Sequence, residues 1–143
     1  MVTTEKVANL AIEQLDKPTK GKVEQLVWLI EESYFEKYGQ KLLWEFVIDS
    51  DYGNGGRVIS LEKQFGNCLG TDTVEPLFDF DEKNAKIIPI EPLSADNIGK
   101  DRFDFVMSII NAMKDKTTAE LMNYNNDYAE KERQKADKEG WTL

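Results

Sequence analysis

Apolar residues crowd more than one side of the stretch from Lys22 to Tyr38. Val23, Leu26, Val27, Ile30, Tyr34 and Tyr38 recur at helical spacing, and Trp28, Leu29 and Phe35 widen the face well beyond a single stripe. A helix this apolar is covered by neighbours, so the pattern predicts the central helix of the fold. Its limits are written locally. Residues 16–21 break any preceding helix, Thr19 can cap the new one, and Gly39 suits the left-handed residue that ends it. Ahead of the break, Thr3 or Thr4 can cap a first helix whose stripe is Val7, Leu10, Ala11 and Leu15.

Beyond Gly39 the period changes. Leu42, Trp44, Phe46 and Ile48 alternate with Leu43, Glu45, Val47 and Asp49, which predicts an extended segment. A glycine-rich corner, Tyr52-Gly-Asn-Gly-Gly56, leads into a short helical pattern from Val58 to Phe65. Leu77 to Phe80 and Lys86 to Ile90 flank Asp81-Glu-Lys-Asn-Ala85 and read as a β-hairpin, with Pro89 confining its strand to an edge or a bulge. Helix returns from Ser94, with Phe103, Val106, Ile110 and Met113 as its stripe and Phe105 and Ile109 beside it. Thr117-Thr-Ala-Glu120 has capping-box spacing and starts a last helix, whose early turns carry Leu121, Tyr124, Tyr128 and Ala129. Residues 130–139 are almost wholly charged, and the tail from 130 to 143 reads as solvated or frayed. The sum is one domain over residues 1–143, α+β and mainly helical. A central apolar helix is packed by several others, with a small antiparallel sheet or β-hairpin at one side. Leu26, Val27, Ile30, Val106, Ile110 and Met113 are the expected core.

Composition removes several functions. The formal charge of −9 argues against direct nucleic-acid binding, which needs clustered Lys and Arg. It leaves room for a partner with a basic face or for mimicry of nucleic acid, and simple solubility explains it as well. No apolar run approaches the ~20 residues that cross a bilayer, so no membrane role is expected. The N-terminal residues lack a signal-peptide layout and the one cysteine, Cys68, excludes an internal disulfide, so the expected compartment is the cytoplasm. The chain has no histidine, which rules out Ser-His-Asp and Cys-His machinery and any histidine-held metal. Neither a cofactor nor a metal is expected.

The remaining motifs are weak. Gly53-Asn-Gly-Gly56 has no following Gly-Lys-Ser/Thr, and the third glycine of a dinucleotide fingerprint falls on Val58. Such glycines serve a turn far more often than a phosphate. Counted from Asp49, a calcium loop needs glycine and a bidentate acid where Asn54 and Ser60 stand. Asp79 and Asp81 share one strand face, and paired carboxylates there more often mark an exposed face than an acid–base pair. Without a histidine to activate it, Cys68 reads as a half-buried structural thiol. Trp28, Tyr34, Phe35, Tyr38, Trp44, Phe46 and Tyr52 crowd one third of the chain; most are expected in the core, a few as binding anchors.

Taken in order, these residues resemble the Panacea domain, the SocA-like antitoxin family. The matching stretches are Val7-Ala-Asn-Leu10, Lys22 to Trp28, Tyr34 to Leu42, the corner Tyr52-Gly53, the helix Val58 to Phe65 with Gly66, and the helix start Thr117-Thr-Ala-Glu-Leu121. Asn54 stands where the family corner has proline, and Asn125-Asn126 where it has Thr-His. The resemblance implies a non-enzymatic protein of a bacterium or its phage, which neutralises a cognate toxin by direct contact. It also points to the corner and the last helix as the family's distinctive segments. The expected partner-binding residues are therefore Tyr52, Gly53, Arg57, Tyr124, Asn125 and Tyr128, with the two segments close together. Two other readings stay open: an acidic phage-encoded inhibitor of a host nucleic-acid enzyme, and a small enzyme using carboxylates with Tyr or Lys.

Overall fold

A computed structural model describes residues 1–45, the backbone of residues 47–49, and residues 55–140. Six helices and two small antiparallel pairs follow in the order α1 (Thr4–Gln14), α2 (Lys20–Tyr38), β1 (Val47–Asp49), β2 (Gly56–Val58), α3 (Ile59–Phe65), β3 (Phe78–Asp81), β4 (Lys86–Pro89), α4 (Ala95–Ile98), α5 (Lys100–Met113) and α6 (Thr118–Lys138). This is the mainly helical α+β fold that the pattern predicts. Among the described residues no helix is long and apolar enough to cross a membrane.

α2 is the centre. It packs on α1, α5, α6 and β2, and every residue from Gln25 to Glu31 is buried. That explains its all-round apolar sequence: no side of it faces water for long. Its ends obey local chemistry. The Thr19 side chain accepts the Lys22 N–H at 3.3 Å, and Gly39 closes the helix at φ 67°. α6 starts the same way, with Thr117 and Glu120 forming a reciprocal capping box. The core expected at Leu26, Val27, Ile30, Val106, Ile110 and Met113 is the core observed.

Three expectations need correction. Leu42 and Leu43 do not alternate in and out: both are buried, and Trp44 is 64% exposed. The cause is Glu31, a buried carboxylate of α2 that accepts the Leu42 and Leu43 N–H groups at 3.1 and 2.9 Å. That holds both leucines inward; Leu43 makes a single parallel bridge to Val2, and the β1–β2 pairing starts at Val47. Phe46 lies outside the described residues. The helix after Ser94 is interrupted at Gly99, whose φ of 87° separates α4 from α5. The charged run after Ala129 stays helical to Lys138, as a solvated continuation of α6.

The hairpin forms where predicted, with Phe78 opposite Pro89 and Asp81 opposite Lys86. It stands on α1, where Lys6 Nζ donates to the Glu91 carbonyl at 3.2 Å and Asn9 holds its base. Buried Asn9 donates to the Leu77 and Ile90 carbonyls, both at 2.9 Å, and accepts the Leu77 N–H at 2.7 Å. One amide thereby holds both legs of the hairpin at its base.

Replacing Ile30, fully buried on α2, with Ala should cost about 2–5 kcal/mol of folding free energy. Denaturant titration checks this, and an unchanged midpoint would contradict the central placement of α2.

Candidate functional site

Gly55 and Gly56, the described end of the glycine corner, meet the last helix along a seam laid down by α2. α2 and α6 run in the same direction: Thr19 faces Thr118, Gln25 faces Asn125, and Trp28 faces Tyr128. Each contact recurs a turn or two further along both helices, so one face of α6 follows one face of α2.

At the middle of the seam sits the Gln25 amide. Its Oε1 accepts the Gly56 N–H and an N–H of Asn125 Nδ2, both at 2.9 Å, and its Nε2 donates to the Gly56 carbonyl at 3.0 Å. Asn125 also donates to the Gln25 backbone carbonyl at 3.1 Å. One residue on, the Asn126 carbonyl oxygen accepts the Gly55 N–H at 2.8 Å. The corner's glycines are needed for this approach. A Cβ at Gly56 would come within 2.0 Å of the Trp28 ring. One at Gly55 would come within 2.3 Å of Gln25 Oε1, at a φ of 77° that side chains rarely adopt. The closeness leaves a residue of unmet polarity. Trp28 Nε1 and Asn125 Oδ1 are buried without a hydrogen-bond partner among the described residues, a cost carried by the seam.

The expected binding residues divide accordingly. Tyr52 and Gly53 lie outside the described residues, as does most of the Asp49-Ser-Asp51 turn. Asn125 is 1% exposed, engaged inside the protein, and presents no surface. Tyr128 sets its ring edge-on to Trp28 at 6.0 Å and donates its hydroxyl to Glu36. Burial and then that carboxylate push the Tyr128 hydroxyl far above its usual range. Tyr124, one turn before Tyr128 on α6, is exposed. Arg57 is exposed too, with its guanidinium held in a two-pronged ion pair by Glu62 at 2.9 Å.

Beside Arg57 two carboxylates are pushed in opposite directions. Burial raises Glu24, whose Oε2 accepts the Val58 N–H at 3.3 Å, while the Arg57 hydrogen bonds lower Glu62. Split carboxylates are the electrostatic pattern of acid–base catalysis, yet here Glu62 is lowered by its ion pair with Arg57, and Glu24 is raised by burial while its oxygen serves the Val58 N–H. Asp81 is likewise a turn cap: its carboxylate accepts the Asn84 backbone and side-chain N–H groups at 3.3 and 2.7 Å. Cys68 is half-buried, and its carbonyl accepts Lys20 Nζ at 3.1 Å.

The surface that the motifs did not single out is the hairpin. Phe78, Phe80, Ile87 and Ile88 are 53%, 57%, 61% and 46% exposed, four of the nine large hydrophobic residues most exposed among those described. The sequence announced the strands. It could not announce that, among the described residues, no third strand or helix covers them. No protein-family model matches the chain, and comparison with curated proteins and with solved structures finds no match.

Gln25→Leu should orphan the Gly56 N–H and carbonyl and remove one of the two hydrogen bonds that the Asn125 amide donates. At about 1–3 kcal/mol for each buried group left unpaired, the urea midpoint should drop sharply; an unchanged midpoint would deny the seam its role. Glu24 gives a second test. A carboxyl raised above its ordinary value of 4.5 by folding holds its proton more tightly in the folded state. Its contribution is therefore present below the unfolded value and lost as pH rises through the folded one. Glu24→Gln keeps an acceptor for Val58 and removes the buried charge. Its melting temperature relative to the parent should rise between pH 4 and pH 7, and a relative fall would reverse the sign argued here.

Proposed function

We propose that this chain is an antitoxin-like binding protein, which neutralises a cognate toxin of a bacterial or prophage toxin–antitoxin pair by direct contact and performs no catalysis itself. The observation that carries the reading is the hairpin, a firmly based structural element whose apolar side chains are left in water. Isolated exposed hydrophobics are ordinary, whereas a contiguous set on one element marks a surface that a partner covers. The resemblance to the Panacea domain supplies the class of partner. The polar seam gives Asn125-Asn126, which stand where the family has Thr-His, a scaffolding part instead.

The enzyme reading draws on Glu24 and Glu62, the one pair of carboxylates with opposed shifts. The Val58 N–H and Arg57 contacts give both a structural occupation, so the binding reading is preferred. The inhibitor reading asks for carboxylates arrayed as a phosphate mimic, and the exposed hairpin face is apolar instead.

Expression of the adjoining reading frame alone should arrest growth, and co-expression of this chain should restore it, with the two proteins co-purifying as a complex. A neighbour that is harmless alone, or whose toxicity persists in the presence of folded protein, would remove the proposal.

A further inference from the structure

The hairpin register sorts its side chains into two unlike faces. Directly opposed residues, and residues two apart on one strand, share a face. Phe78, Phe80, Ile87 and Pro89 therefore fall together, while Asp79, Asp81, Lys86 and Ile88 take the other side. The first set is wholly apolar and all four residues are exposed. Phe78 also lines a groove of about 430 Å³ beside α3, together with Phe65, Val74, Pro76 and Leu77. The face and the groove thus join at Phe78 into one apolar surface.

Its surroundings are acidic. Glu75 lines the groove, Glu82 and Glu91 flank the strands and Asp79 and Asp81 lie on the reverse face of the hairpin, against only Lys83 and Lys86 between residues 75 and 91, in a chain of net charge −9. Both hairpin legs are fixed through Asn9, so the surface is held ready before a partner arrives and little ordering entropy remains to oppose binding.

We infer that this surface is the toxin-binding site, and that the toxin meets it with an apolar patch ringed by Lys and Arg. The inference rests on the toxin-neutralising reading above and gives that reading a surface and a partner chemistry. A second copy of the chain fits less well on two counts. Pairing two hairpin faces places each set of acidic residues near its own duplicate. Moreover, two half-exposed phenylalanines with Ile87 and Pro89 offer roughly 400 Å² on each copy, about half of what a standard interface buries per partner. A basic partner that fills the groove as well as covering the face meets neither difficulty.

The test titrates the purified product of the adjoining reading frame into this protein, with three variants alongside the parent. Phe80→Ser/Ile87→Ser should keep the parent's circular dichroism and melting temperature yet bind about 100-fold more weakly or worse, since central apolar anchors carry most of an interface's binding energy. Asp79→Lys/Glu82→Lys should slow association and flatten its dependence on salt. Tyr124→Ala, at an exposed position of α6, should bind as the parent does. Sedimentation of the parent alone should show a monomer. If the parent binds and the Phe80→Ser/Ile87→Ser protein binds equally, the hairpin site is wrong while the antitoxin reading survives. The hairpin site is equally wrong if Tyr124→Ala is the variant that abolishes binding, or if the parent is a dimer that Phe80→Ser/Ile87→Ser separates. If the folded parent does not bind the toxic neighbour at all, both fail together.

Discussion

One amide group holds three distant parts of the chain in register. Gln25 occupies the middle of a helix otherwise filled with large apolar residues, where an unpaired polar group would be costly. It is tolerated because the Gly56 backbone and the Asn125 side chain satisfy it from either side. The dependence runs in both directions. Gly56 must be glycine for the strand to come close enough, and Trp28 can lie flat against that backbone only because no Cβ intervenes. Asn125 in turn fixes which side of α6 faces inward, and so leaves Tyr124 outside and brings Tyr128 onto Trp28. Hydrophobic burial supplies the drive to collapse around α2. The directional bonds of Gln25 select one arrangement of the collapsed parts.

Glu31 plays a related part at the other end of the same helix. A buried carboxylate accepting two consecutive backbone N–H groups turns the chain sharply after α2 and delivers Leu42 and Leu43 to the core. Lys41, at 3.4 Å from its other oxygen, offsets part of the burial of that charge. Together, Gln25 and Glu31 account for why a helix covered on all sides still carries polar residues within its buried length.

What could be read from the sequence follows from the range of the forces involved. The Thr19 cap, the Gly39 stop and the Thr117–Glu120 box act over three or four residues, and each stood where local chemistry placed it. The stripes of α1, α2 and α5 were legible because burial repeats with the helical period. Leu42 to Trp44 misled because the deciding partner, Glu31, is more than ten residues away and belongs to another element. Asn125 was grouped with surface residues because its partner is 100 residues distant. A polar residue such as Gln25, set between Leu26 and Glu24 at the flank of an apolar stripe, was the available sign that a buried polar contact was required. The hairpin was legible as two strands and a turn. That its apolar face meets water depends on what the rest of the chain does not place above it.

The narrow footing of the hairpin, at Asn9 and Lys6 of α1, has an evolutionary consequence. Phe78, Phe80, Ile87 and Pro89 contribute nothing to the buried cluster around α2, and the hairpin is tied to the body through Asn9 and the residues just outside the strands. Exposed substitutions away from such ties usually shift stability by no more than about 0.5 kcal/mol. The projecting face is therefore free to drift, acquire new side chains or change its fringe of charge while the scaffold under it stays intact. A lineage built on this plan could exchange one recognition specificity for another without passing through a misfolded intermediate.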